Sequence, residues 1–184
     1  MRLSAIVPCL GLVLALGAGL AVAPSAVVAQ GQDTGIVERL RRSQQPIPNL
    51  QREETVALLA ANGKFVAAEN GGGGPLVANR THIRGWERLD ILHLGGNLVA
   101  LRVNNGRFVT ARPDGALRAG ARRINQRQTF RLISLGGALH AFQTHDGRFI
   151  AIRPRRGGEL TADATALRNR AIFAVAQLAG GGGR

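Results

Sequence analysis

The chain has 184 residues, and its 24 lysines and arginines against 11 acidic residues give a formal net charge of +13. Such an excess favours encounter with anionic partners and makes that encounter sensitive to salt. The single cysteine, Cys9, lies near the N-terminus. The remainder of the chain has none, which excludes disulfides, cysteine nucleophiles and thiolate metal sites there.

Residues 1–29 have the pattern of a secretory signal peptide. Arg2 precedes an apolar run from about Ala5 to Ala23, and small residues follow up to Ala29. We therefore expect cleavage near Ala29, a secreted or periplasmic protein, and no membrane span in the mature form. An uncleaved membrane anchor is the alternative, because the apolar run is nearly long enough to cross a bilayer.

Three further segments follow in chain order. Residues 30–54 are polar and charged and contain Pro46 and Pro48, which is typical of a linker or an arm. Residues 55–178 are predicted to form one domain. Residues 179–184 are a glycine-rich tail that we expect to be disordered.

The predicted domain contains an internal repeat with a period of roughly 40 residues. Its units are 55–97, 98–138 and 139–178, and each carries a tight turn of the form Asn/Asp-Gly-basic-Phe. The Asn-Gly and Asp-Gly pairs predict two-residue hairpin turns, in which both positions need a positive φ. They are Asn62-Gly63, Asn105-Gly106 and Asp146-Gly147.

Each unit also contains four short segments with alternating apolar residues, which predict half-buried strands. Three units of four strands predict an all-β protein, a β-trefoil of about twelve strands with pseudo-threefold symmetry. The phenylalanines that follow the turns, Phe65, Phe108 and Phe149, are interpreted as core residues.

The first unit resembles a known family. Its run NGKFVAAENGGGGPLVANR at Asn62–Arg80, followed by GWERLDIL at Gly85–Leu92, is similar to the fascin-like branch of the β-trefoil superfamily. The resemblance covers roughly residues 55–178 and implies a packing role for Trp86, with an exposed platform for sugar stacking as the alternative. It leaves function open, because β-trefoils include sugar binders, growth factors, protease inhibitors and actin bundlers.

The positive charge belongs to the second and third units. Residues 98–178 hold fourteen arginines against four acidic residues, whereas residues 30–97 are nearly balanced. Arginine suits bidentate capture of phosphate, sulfate or carboxylate groups. We therefore predict an anion-binding surface, with a merely solvated surface as the alternative. Its densest pairs are Arg122-Arg123 and Arg155-Arg156.

Two further sets of residues are candidates for ligand binding. Lys64, Arg107 and Arg148 occupy the same position in the three units, directly after the turn glycine, where they either make three equivalent anion contacts or face solvent. The second set surrounds the glycine-rich loop of the first unit and offers polar groups for sugar recognition. It consists of Asn70, Asn79 and Arg80.

No motif predicts catalysis, a metal or a cofactor. The four histidines, His82, His93, His140 and His145, share no metal-ligand spacing, and no serine or threonine lies in a nucleophile elbow. The loop Gly71–Gly74 lacks the Gly-Lys-Ser/Thr of a phosphate-binding loop. We therefore predict a non-enzyme.

The leading interpretation is an exported module that binds cell-surface or extracellular polysaccharide through polar grooves between the units of the β-trefoil. The first alternative is electrostatic binding of anionic polymers: lipopolysaccharide, teichoic acids, sulfated glycans, or nucleic acid as a nonspecific polyanion. The second alternative is a module that binds actin or another protein. The sequence leaves the oligomeric state open.

Overall fold

The computed structural model describes residues 50–179. The predicted signal peptide, most of the predicted arm and nearly all of the tail lie outside the described residues. The described part contains twelve strands, and no helix in it is long and apolar enough to cross a membrane. The strands are β1 (Arg52–Ala60), β2 (Phe65–Ala68), β3 (Leu76–Arg80), β4 (Leu89–Gly95), β5 (Leu98–Val103), β6 (Phe108–Ala111), β7 (Leu117–Ala121), β8 (Thr129–Ser134), β9 (Leu139–Thr144), β10 (Phe149–Arg153), β11 (Glu159–Ala164) and β12 (Phe173–Gln177).

Six of the strands form a closed antiparallel barrel. Pairing runs from β1 to β4, β5, β8, β9 and β12, and β12 pairs back with β1. Closure leaves the barrel without open edges. The strand β1 begins at Arg52, three residues before the predicted start of the domain, because residues 52–54 pair with β4.

The other six strands form three hairpins, β2–β3, β6–β7 and β10–β11. Each unit thus contributes two barrel strands and one hairpin, which is the predicted β-trefoil. The hairpins are joined in a ring, since each loop offers a glycine carbonyl to a backbone N–H of another hairpin. The three donor and acceptor pairs are Ala78 N to Gly158 O (2.8 Å), Ala119 N to Gly74 O (3.3 Å) and Ala162 N to Gly115 O (2.7 Å).

The turns between the first two strands of each unit differ from the prediction. In the first unit Gly63 N donates to Ala60 O, and Ala60 N donates to Lys64 O, so the loop has three residues. Gly63 has a φ of 71°, whereas Asn62 does not adopt a positive φ. The side chain of Asn62 instead accepts a hydrogen bond from Lys64 N. The predicted two-residue turn was wrong; the loop is the three-residue type that ends in a left-handed glycine.

The main core cluster joins the barrel to the hairpins. Its largest side chains are Phe130, Phe142 and Phe173, all fully buried. The rings of Phe142 and Phe173 lie 6.1 Å apart and are tilted by 58°, an arrangement favourable for aromatic pairs.

The phenylalanines that follow the turns lie outside this main cluster. Phe108 is buried in a small cluster with Leu92 and Ala100, and Phe149 packs against another small cluster. Phe65 is only half-buried. The predicted core role therefore holds only in part: Phe108 and Phe149 belong to secondary clusters, and Phe65 belongs to none of the three clusters.

Candidate functional site

A groove lies between the β3–β4 loop of the first unit and the turn that follows β5 in the second unit. It encloses about 550 Å³. The groove offers one indole ring and several planar polar groups. These come from Arg80, His82, Arg84, Trp86, Glu87 and, across the groove, Asn104.

Trp86 is exposed in this groove. The residue is 41% accessible, and its carbonyl accepts a hydrogen bond from Ala68 N at 3.0 Å, which anchors the loop to β2. The packing role implied by the family resemblance was therefore wrong. The sequence does contain a signal for exposure, because the same position in the other two units is held by Arg127 and Arg170.

The residue that is buried in this loop is Glu87. Its side chain is nearly inaccessible, and its Oε2 accepts a hydrogen bond from Arg84 N at 2.7 Å. Its Oε1 lies 3.6 Å from Arg80 Nε. A buried carboxylate needs such partners, because an unpaired one would carry a large desolvation penalty.

Arg80 is held in place by several acceptors. Its Nη2 donates to Glu69 Oε1 at 2.9 Å and its Nη1 donates to Asn79 Oδ1 at 2.6 Å, in addition to the contact with Glu87. The guanidinium is therefore fixed at the wall of the groove. Of the three residues predicted around the glycine-rich loop, only Arg80 lines the groove. Asn70 adopts a left-handed conformation with φ 56° in the short helical turn Glu69–Gly72.

The second unit contains a natural comparison for Glu87. Gln128 is buried at the equivalent position, and its Oε1 accepts from Asn125 N at 3.0 Å. We therefore expect Glu87→Gln to retain the loop, whereas Glu87→Ala leaves Arg84 N without its acceptor and lowers the free energy of unfolding by about 1–3 kcal/mol. Urea denaturation of both variants measures the difference. Equal losses would contradict the proposed acceptor role of this side chain.

The basic residues that follow the turn glycines lie on three separate turns and do not line the groove. Arg148 donates two hydrogen bonds to Asp146, with Nη2 2.6 Å from Oδ2. Together with the Thr144 hydroxyl, the Arg148 guanidinium holds the pKa of Asp146 well below its usual range. Arg148 is therefore engaged by its own turn. Lys64 and Arg107 make no ion pair among residues 50–179.

The two predicted arginine pairs occupy different kinds of loop. Arg122 and Arg123 lie in the β7–β8 loop, whereas Arg155 and Arg156 lie in the loop of the third hairpin, within a 3-10 turn. All four are exposed, and none forms an ion pair within the described part of the chain. These two loops are not equivalent under the pseudo-threefold symmetry.

Residues 55–170 match the family model described as "Domain of unknown function (DUF7910)". The chain belongs to this family. No curated protein matches the chain. Among solved structures, the designed 3-fold symmetric protein ThreeFoil has a TM-score of 0.61 and 15% identity, over 67% of this chain and 99% of that chain. This similarity confirms the β-trefoil fold, and at such low identity it shows the fold alone. The Trp86 groove lies within the DUF7910 match.

A second polar cluster of this DUF7910 member was missed from the sequence. Glu54 Oε1 lies 2.6 Å from both His93 Nε2 and Arg52 Nη2, and Gln177 Nε2 donates to Glu54 Oε2 at 2.7 Å. The cluster ties β1 to β4 and β12, and cavities of about 510 and 380 Å³ adjoin it. Because both carboxylate oxygens are occupied, we assign the cluster a structural role. Within residues 50–179, no three His, Cys, Asp or Glu side chains are placed to hold a metal ion.

Proposed function

We propose that this protein is an exported, non-enzymatic module that binds cell-surface or extracellular polysaccharide through the Trp86 groove. The supporting observation is the exposed indole beside the fixed guanidinium of Arg80. An aromatic face can stack on the apolar face of a sugar ring, and planar polar groups beside it can bind the hydroxyls. Export is proposed from the N-terminal sequence pattern.

Within the β-trefoil fold, we place the chain in the fascin-like branch as part of this proposal. The residues that carry the resemblance, Asn62–Arg80 and Gly85–Leu92, include β2, β3 and the loop that bears Trp86. The resemblance is thus strongest in the unit that forms most of the groove.

A second candidate is electrostatic binding of anionic polymers. It is favoured by the exposure of Arg122, Arg123, Arg155 and Arg156 and by their lack of ion pairs among residues 50–179. This candidate predicts an affinity that falls steeply with salt, because bound counterions are released on association. The proposed polysaccharide contact at Trp86 should be much less sensitive to salt.

A glycan array followed by quantitative binding tests the polysaccharide proposal. We expect Trp86→Ala to weaken binding to the best glycan by on the order of tenfold, because it removes the stacking surface. Trp86→Phe should retain part of the affinity. Leu98→Ala is the matched control, since Leu98 is an equally exposed apolar residue outside the groove.

Two outcomes would count against this proposal. Absence of binding of the wild-type protein to every neutral and acidic glycan would reject polysaccharide recognition. Equal affinities of wild type, Trp86→Ala and Leu98→Ala would reject the Trp86 groove as the contact surface.

A further inference from the structure

The β3–β4 loop has two counterparts related by the pseudo-threefold symmetry. We call residues 80–88, 121–129 and 164–172 the groove loops. Each groove loop leads into a barrel strand that has a large buried side chain at or next to its first residue. These equivalent residues are Leu89 in the first unit, Phe130 in the second and Phe173 in the third. Counting three residues back from these positions gives Trp86, Arg127 and Arg170.

A second surface depression lies at the equivalent position of the third unit. It lies on the third groove loop, and every one of its five lining residues has a counterpart that lines the Trp86 groove. The two cavities are therefore the same place in two units of the fold. The lining residues are Thr165, Ala166, Arg168, Asn169 and Arg170, which correspond in order to Thr81, His82, Arg84, Gly85 and Trp86.

The groove loops share local geometry but differ in chemistry. In the first and second loops a buried Glu87 or Gln128 accepts a backbone hydrogen bond from within its own loop. In the third loop the corresponding residue is Ala171, which is buried, and its N–H donates to Arg168 O at 2.7 Å. The three loops therefore resemble one another locally, while the residue three positions before the large buried strand residue changes from tryptophan in the first loop, which also carries Arg80, Arg84 and Arg88, to arginine in the second and third.

These arginines are available for an external anion. The second groove loop carries three arginines, the third carries two, and neither loop contains an acidic residue. All five side chains are exposed and form no ion pair among residues 50–179. An exposed guanidinium can bind a carboxylate or sulfate through two parallel hydrogen bonds. The five are Arg122, Arg123, Arg127, Arg168 and Arg170.

We infer that the three groove loops are three subsites for one class of ligand, a polysaccharide that carries carboxylate or sulfate groups. The first subsite stacks a sugar ring on Trp86, and the second and third bind the anionic groups through Arg127 and Arg170. This inference rests on the proposed polysaccharide function and adds its substrate class. A polymer that reaches more than one subsite would bind with an avidity above the affinity of any single subsite.

The experiment compares three immobilised probes: polygalacturonate, which carries carboxylates, dextran sulfate, which carries sulfates, and neutral dextran. We expect the wild-type protein to bind at least one acidic probe at least about tenfold more tightly than dextran. The affinity of the double variant Arg127→Ala/Arg170→Ala for that probe should fall by about tenfold or more, which corresponds to the loss of one or two charge-assisted contacts. The probe that is preferred identifies the anionic group.

A charge-matched control separates subsites from net charge. Arg155→Ala/Arg156→Ala removes the same two charges from the loop of the third hairpin, outside the groove loops. Its affinity should stay within about twofold of wild type. Arg127→Lys/Arg170→Lys keeps the charge but lacks the guanidinium fork, so it should give an intermediate affinity. Equal losses of affinity in the two double alanine variants would overturn the inference. So would an affinity of the wild-type protein for duplex DNA that equals its affinity for the preferred acidic probe.

The outcomes also distinguish this inference from the proposed function. If acidic and neutral probes bind equally and only Trp86→Ala weakens binding, the acidic substrate class is rejected and the polysaccharide function stands. If no polysaccharide binds, both are rejected. Thermal unfolding of every variant by circular dichroism establishes that the folded state is retained, as expected for exposed side chains.

Discussion

Alanine at position 158 is expected to lower the free energy of unfolding by about 3 kcal/mol. Gly158 has a φ of +85°, which L-residues with a Cβ adopt only at a cost of about 1–2 kcal/mol. A Cβ added there would lie 2.3 Å from the carbonyl oxygen of Ala78, so the backbone would have to move. That movement would disturb the hydrogen bond from Ala78 N to Gly158 O, which links the third hairpin to the first.

The preceding glycine provides the control for this substitution. Gly157 also has a positive φ, +64°, but a Cβ there meets no atom within 4 Å. Gly157→Ala should therefore show only the backbone penalty of about 1–2 kcal/mol. Urea denaturation of both variants measures the difference. Similar decreases in the free energy of unfolding would show that the close approach of residue 158 to Ala78 does not contribute to the effect.

Removal of a central core ring is expected to have the largest effect of all. Phe130→Ala should lower the free energy of unfolding by about 3–5 kcal/mol, because it removes buried apolar surface and leaves a cavity. Phe130 is completely buried at the start of β8, where it pairs with Val99 of β5 and Thr144 of β9. The cavity would thus lie among β5, β8 and β9. Because these strands are paired in the closed barrel, the surrounding side chains cannot easily move in to fill it.

Phe65→Ala is the matched control for Phe130→Ala. Both substitutions remove the same atoms, but Phe65 is half-buried and lies outside the main core cluster. Phe65→Ala should therefore lower the free energy of unfolding by clearly less, about 2 kcal/mol or less, because part of the Phe65 side chain already contacts water. Equal decreases in the free energy of unfolding, measured by denaturation at one temperature, would contradict the placement of Phe130 in the main core and of Phe65 outside it.

The strand pattern and the pseudo-threefold symmetry were predictable because both depend on local features. Alternating apolar residues and Asn-Gly or Asp-Gly turns mark the strands whatever their partners are. The length of each turn was predicted wrongly. Asn62 satisfies Lys64 N through its side chain and stays out of the left-handed region, so only Gly63 adopts it. The dipeptide alone does not distinguish a two-residue loop from a three-residue loop that ends in glycine.

The candidate site was only partly predictable. Arg80 was identified as a binding residue, but its position depends on Glu69, which meets it only after β2 and β3 pair, and on Glu87, which turns inward from the β3–β4 loop. The exposure of Trp86 depends on its neighbour. Since Glu87 turns inward to accept the hydrogen bond from Arg84 N, the adjacent indole is left on the outside of the loop.

The number of units, the number of strands and the concentration of arginine in the second and third units could all be predicted from the amino-acid sequence alone. These features depend only on local pattern and composition. The folded chain was needed to show that Trp86 is exposed and that it and Arg170 line surface depressions at the same position of their units. Barrel closure and the ring of hairpins hold the three units together, and the contacts that create them join residues far apart in the chain.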